Sequence, residues 1–127
     1  MTENEVAKQI VDVAFKIRST YGPGLLESVY EAIMAHDLRN RGLTIARQQA
    51  IPLVHESIRV EVGFRADLIV EGKVVVEIKS IEAIAPVHKK QLLTYLRLAD
   101  KRLGLLIYFN VELIKNGISR VVNQLPE

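Results

Sequence analysis

The chain has no cysteine and no tryptophan. Without cysteine there is no disulfide framework, thiolate-zinc site, iron–sulfur cluster or thiol nucleophile, and the chain suits a reducing compartment. Long apolar runs are also missing: none approaches the ~18 residues that cross a bilayer, so no membrane partner is expected. The first residues, MTENEVAKQIVDVAF, carry acidic side chains early and lack a cationic start before an apolar stretch. They do not read as a secretory signal, and the expected location is cytoplasmic. Neither sign of charge dominates, with 17 basic against 15 acidic residues and a net charge of +2. A surplus that small makes no case for nucleic-acid binding by itself. Aromatics are scarce at 6%, but apolar residues reach 49% and charged ones 25%, an ordinary soluble composition. Repeats and low-complexity tracts are absent, and 127 residues suit one domain, 1–127, with a core that needs no staples.

Periodicity orders the chain. Val6, Ile10, Val13, Ala14 and Ile17 recur at helical spacing over 3–20, and Tyr21-Gly22-Pro23-Gly24 ends that helix. A second helix is expected from about Leu25 to Arg41, with Val29, Ile33, Met34 and Leu38 on one stripe and Gly42 as its cap. The period then shifts towards two. Residues 43–55 read as one or two strands interrupted at Pro52. Residues 58–70 alternate, with Ile58, Val60, Val62, Phe64, Ala66, Leu68 and Val70 expected on one face and Arg59, Glu61, Gly63, Arg65, Asp67 and Ile69 on the other. A strand at 73–79, a helix from Pro86 to about Ala99 and a buried strand at 103–109 follow, and 118–122 offers a closing strand. The order is α-α-β-β-β-β-α-β(-β), with a parallel crossing from 73–79 to 103–109. This describes an α/β or α+β domain built on a central mixed sheet flanked by helices.

Three ionisable groups sit inside the apolar runs of FRADLIVEGKVVVEIKS, residues 64–80: Asp67, Glu77 and Lys79. Charges in strand cores are costly unless something pairs with them. Two carboxylates and a lysine are the parts that hold a divalent metal and position a water. Whether the acids share a face depends on the hairpin. A two-residue Glu71-Gly72 turn puts them on opposite faces. A three-residue Val70-Glu71-Gly72 loop, with Gly72 left-handed, sets Asp67 opposite Val75 and Glu77 diagonal to it at ~7–8 Å. A metal site therefore demands the three-residue loop or a bulge. Both carboxylates then reach one Mg2+ (or Mn2+) at ~2.1 Å. Lys79 shares the face of Glu77 and suits the orientation of an attacking water. His88, Gln91 and Tyr95 form a polar stripe on the following helix, and Glu27 and Tyr30 lie three apart on the second, with Glu27 a further metal ligand or water holder. Tyr30 reads equally as a core aromatic with a satisfied hydroxyl, and Arg65 as a partner that keeps Asp67 ionised. Lys89, Lys90 and Arg97, with Lys101 and Arg102, form either a solvated face or a phosphate-contacting one.

The pattern Asp67…Glu77-Ile78-Lys79 resembles the PD-(D/E)XK, or restriction-endonuclease-like, nuclease superfamily. Gln91-Leu92-Leu93-Thr94-Tyr95 is similar to the QxxxY element of its exonuclease-like branch. Gly24-Leu25-Leu26-Glu27-Ser28-Val29-Tyr30 is similar to the signature of the small bacterial GxxExxY family, and the likeness covers nearly the whole chain. The resemblance implies a restriction-endonuclease-like core with the active centre where the middle strands splay. It implies Asp67 and Glu77 as metal ligands, Lys79 as the catalytic lysine, Glu27 as a helix carboxylate near the metal, and Gln91 and Tyr95 in support. Ala66 stands where the motif name has proline.

Three functions are compatible with these residues. The first is a metal-dependent nuclease acting on nucleic-acid phosphodiesters, DNA rather than RNA. The second is a nuclease-fold module that binds nucleic acid or a partner with little turnover. The third is an oligomeric scaffold with a structural ion cluster. A chain this small would gain a groove by forming a homodimer.

Overall fold

The computed structural model describes residues 1–80 and 84–126. Its elements are α1 (Glu3–Tyr21), α2 (Glu27–Asn40), β1 (Ile45–His55), β2 (Ile58–Val70), β3 (Val74–Lys79), α3 (Pro86–Ala99), β4 (Leu103–Tyr108) and β5 (Ile118–Val122), with a 3-10 turn at Ile114–Asn116. The stretch read as one or two strands is a single strand, whose register with β2 shifts between Ile51 and Leu53, at Pro52. The five strands lie in the order β1-β2-β3-β4-β5, a mixed sheet of α+β class. Among the described residues the one parallel pair is β3 with β4, as the intervening helix requires.

Local chemistry explains the ends of the helices. Thr2 and Glu5 form a reciprocal capping box at the start of α1. Pro86 opens α3, where a missing N–H costs nothing, and His88 Nδ1 accepts the Ala85 N–H at 2.9 Å. Gly104 lets α3 lie close on the sheet, since a Cβ there would meet the Leu92 side chain at 3.0 Å.

Each face of the sheet buries its own apolar cluster. α1 and α2 contribute Ile10, Ile17, Tyr30, Met34 and Leu38, packed on Leu68, Val70, Val76, Ile78, Leu105 and Ile107. On the other face α3 contributes Leu92 and Leu96, packed on Phe64, Ala66, Ile69, Val75 and Leu106. The membership of β2 corrects the expected alternation. Phe64 and Ala66 belong to the α3 cluster, but Leu68 and Val70 belong to the α1–α2 cluster. The series changes face at Asp67. Across from it on β1, Gln48 adopts a left-handed φ of 49°, and neither residue joins the β1–β2 ladder. An irregularity of this kind re-aims side chains and is common next to active sites.

Candidate active site

β2 and β3 are joined by Glu71-Gly72-Lys73, with φ of 55° at Glu71 and 62° at Gly72. The loop has the three residues a metal site demands, but it begins one residue later than expected. Val70 faces Val74, Ile69 faces Val75 and Leu68 faces Val76. The ladder stops there, and the same register carried on would set Asp67 directly across from Glu77. Side chains take over where the backbone pairing ends. The Ile78 N–H donates to Asp67 Oδ2 at 2.8 Å, and the Asp67 N–H points at Glu77 Oε1 at 3.4 Å. The strands splay around two carboxyl groups that meet in the gap.

Both acids are held towards their neutral forms. Burial, and then the charge of Asp67, push the Glu77 carboxyl from an ordinary 4.5 up to about 8, while the Asp67 N–H and the charge of Lys79 pull against the shift. Burial raises Asp67 as well, opposed by the Ile78 N–H and the Gln48 amide. Among the described residues neither acid has an ion-pair partner. The expected Arg65–Asp67 pair is not formed, because Arg65 Nη1 donates to the Gln48 carbonyl instead, at 3.4 Å. Lys79 is half-buried at the end of β3, two residues beyond Glu77 and on the same face.

Helix α2 brings two more carboxylates. Glu27, exposed in its first turn, accepts the Ser80 N–H on Oε1 at 2.7 Å. One turn later the buried Glu31 accepts Arg47 Nη2 at 3.0 Å and Gln48 Nε2 at 2.5 Å. Gln48 Nε2 also donates to Asp67 Oδ1 at 3.1 Å. Glu27, Ser28, Glu31, Gln48 and Asp67 line one pocket of about 280 Å3. The start of α2 is fixed through Ser80, whose hydroxyl donates to the Leu25 carbonyl, and Asn110, which binds both Ser80 Oγ and the Gly24 N–H. Tyr30 is wholly buried, stacked on Phe109 at 4.1 Å, and its hydroxyl bonds the Gly22 carbonyl and the Leu25 N–H. It is the core aromatic with a satisfied hydroxyl, and it holds the loop that delivers Glu27.

The other anticipated residues divide. Tyr95 stacks on Phe64 at 3.9 Å, and Gln91 is exposed one turn earlier on α3. His88 serves the start of its own helix. Lys89, Lys90 and Arg97 are exposed; the two lysines line a different pocket, with Pro86, Asn116 and Ser119, which none of the site carboxylates joins. Glu31, Gln48, Ser80 and Asn110 were not legible as site residues. Their one sequence signal is weak: Glu31 falls one helical turn after Glu27.

A sequence model of the PD-(D/E)XK nuclease superfamily matches residues 4–121. The chain belongs to that superfamily. Comparison with curated proteins and with solved structures gives no match. PD-(D/E)XK nucleases generally use divalent metals, and the donors here suit one. Asp67 and Glu77 offer the hard oxygen ligands that Mg2+ or Mn2+ takes, and their mutual repulsion is what a bound cation relieves. Among the described residues no three His, Asp or Glu side chains converge to hold an ion by themselves. No described helix is long and apolar enough to cross a membrane.

Proposed function

We propose that the chain is a metal-dependent nuclease of the GxxExxY type, a single cytoplasmic domain that hydrolyses phosphodiester bonds in nucleic acid, DNA rather than RNA. The observation that carries this reading is the contact between Asp67 and Glu77 where the β2–β3 ladder opens, with Asp67 fixed by the Ile78 N–H and, among the described residues, no cation paired with either acid. Asp67 and Glu77 would hold Mg2+ or Mn2+, with Glu27, which shares a pocket with Asp67, as a water holder. A bound divalent ion supplies charge that neutralises the phosphate and lowers the pKa of a coordinated water. Lys79 offers its ammonium N–H groups to the attacking water and to charge growing on the phosphate. Gln91 and Tyr95 support the site from α3, and Lys89, Lys90 and Arg97 give the substrate backbone a cationic surface.

The test is a panel of single- and double-stranded DNA and RNA incubated with Mg2+ or Mn2+, run beside Glu77→Ala. Metal-dependent cleavage that disappears in the variant is the expected result. One observation favours a second reading, a binding module of low turnover: an oxygen of Glu27 is already engaged by the Ser80 N–H. Retention of DNA without cleavage under every metal selects that reading. Failure of the wild type to take up Mn2+ in titration calorimetry selects the scaffold.

A further inference from the structure

β2 is 13 residues long and β3 only six, and β3 pairs with β2 only from Leu68 to Val70. The first half of β2 and the end of β1 therefore project as a two-stranded arm. On its outer side β2 has no strand neighbour among the described residues over 58–66. The arm is unusually apolar for an exposed ribbon: Leu53, Val54, Ile58, Val60 and Val62 are 36–62% exposed. An open edge of this length and composition is normally blunted by charge, proline or a cover, because it invites pairing with another chain.

The sequence of that edge is complementary to itself. Ile58-Arg59-Val60-Glu61-Val62 laid antiparallel against a second copy, with the two-fold axis at Val60, sets Arg59 opposite Glu61 twice. On the other face it sets Ile58 opposite Val62 twice and Val60 opposite itself. The backbone phase agrees as far as Val60, where the regular β1–β2 pairing ends. The Glu56-Ser57 turn joins His55 to Ile58, so that pair exchanges its bonds within the hairpin. Arg59, alternate to it, turns its N–H and C=O groups outward; this register also needs Glu61 to bond across the axis, and Glu61 is the first residue past Val60, where the β1–β2 ladder breaks before resuming at Phe64. Arg59 and Glu61 already attract each other within one strand, at 2.8 Å. A second copy offers each of them the same partner across the interface.

We infer that two copies of the chain associate through the outer edges of β2, residues 58–62, to form one continuous ten-stranded sheet. The axis lies seven residues from Asp67, roughly 23 Å at about 3.3 Å per residue.

Sedimentation velocity of the full chain over a concentration series tests this. The wild type is expected to be in monomer–dimer equilibrium. Val60→Lys, which places two ammonium groups on the axis, and each of Arg59→Glu and Glu61→Arg alone, are expected to raise the dimer Kd at least about tenfold with unchanged circular dichroism. The register makes a sharper demand. An equimolar mixture of the Arg59→Glu and Glu61→Arg chains regains opposite charges at both cross-axis positions, so it should form heterodimers with near wild-type affinity. Restoring the contact within one strand cannot produce that result. A wild type that sediments as a monomer throughout the series, a dimer indifferent to all three substitutions, or a mixture that stays monomeric overturns the inference; a monomer would leave the edge to a different protein.

Discussion

Gln48 Nε2 donates to Asp67 Oδ1 at 3.1 Å and at the same time to Glu31 Oε1 at 2.5 Å, so one amide ties the site aspartate to helix α2. Groups that orient a metal ligand affect affinity almost as strongly as the ligand itself. Gln48→Ala is expected to weaken Mn2+ uptake about tenfold in titration calorimetry, with the fold intact. Unchanged affinity would make Gln48 a packing residue only.

The proposed roles of the site residues are separable by experiment. Asp67→Ala and Glu77→Ala should abolish both metal uptake and cleavage. Lys79→Ala should lose cleavage by about a hundredfold or more but keep metal uptake, because it removes a donor to the reacting atoms and not a ligand. Calorimetry beside a single-turnover cleavage assay separates the two patterns. Cleavage that survives both Lys79→Ala and Glu77→Ala would show the assignments to be wrong.

Glu77 sets a pH dependence on the metal-free protein. Its folded pKa of about 8 lies above the ordinary 4.5, so the native state holds a proton that the unfolded chain has released. Stability from this group is complete below pH 4.5, falls as pH rises towards about 8 and is level beyond. Asp67, also raised, adds a trend of the same sign. Denaturant midpoints measured across that range should decline in the wild type and flatten in Glu77→Gln. Metal uptake should strengthen over the same interval, since binding requires the ionised acid.

Tyr30→Phe keeps the stack on Phe109 but strands the Gly22 carbonyl and the Leu25 N–H. The expected cost is about 1–3 kcal/mol in urea unfolding. Because that loop delivers Glu27, slower cleavage at unchanged DNA affinity is expected alongside.

Replacing Lys89 and Lys90 together by alanine should weaken DNA retention and reduce its logarithmic salt slope by roughly 2 if both meet phosphates. An unchanged slope returns them to plain solvated surface.

Most of the fold was legible because helix and strand periods are local. The α1 stripe, the Gly22–Gly24 break and the fully apolar β4 each announce their element within a few residues. The three-residue β2–β3 loop followed from the chemistry asked of Asp67 and Glu77, although its position was off by one residue. The change of face in β2 was hidden. It depends on Gln48 turning left-handed opposite Asp67, and nothing near either residue in the chain marks that position. The Glu31–Gln48–Asp67 chain was hidden for the same reason, since its members come from three elements and meet only through strand register. His88 and Tyr30 have residue types that suit catalysis, but their hydrogen bonds serve a helix start and a loop.

Because the even-numbered residues of β2 pass from one apolar cluster to the other at Asp67, and Ile69 stays with the first, the acid stands at the seam between two hydrophobic interiors. Loosening either interior, by truncating Leu92 under α3 or Met34 under α2, shifts the strand on which the acid rides. Hydrolytic competence should therefore fade in such variants before the chain as a whole melts, so that activity reports on the integrity of both layers.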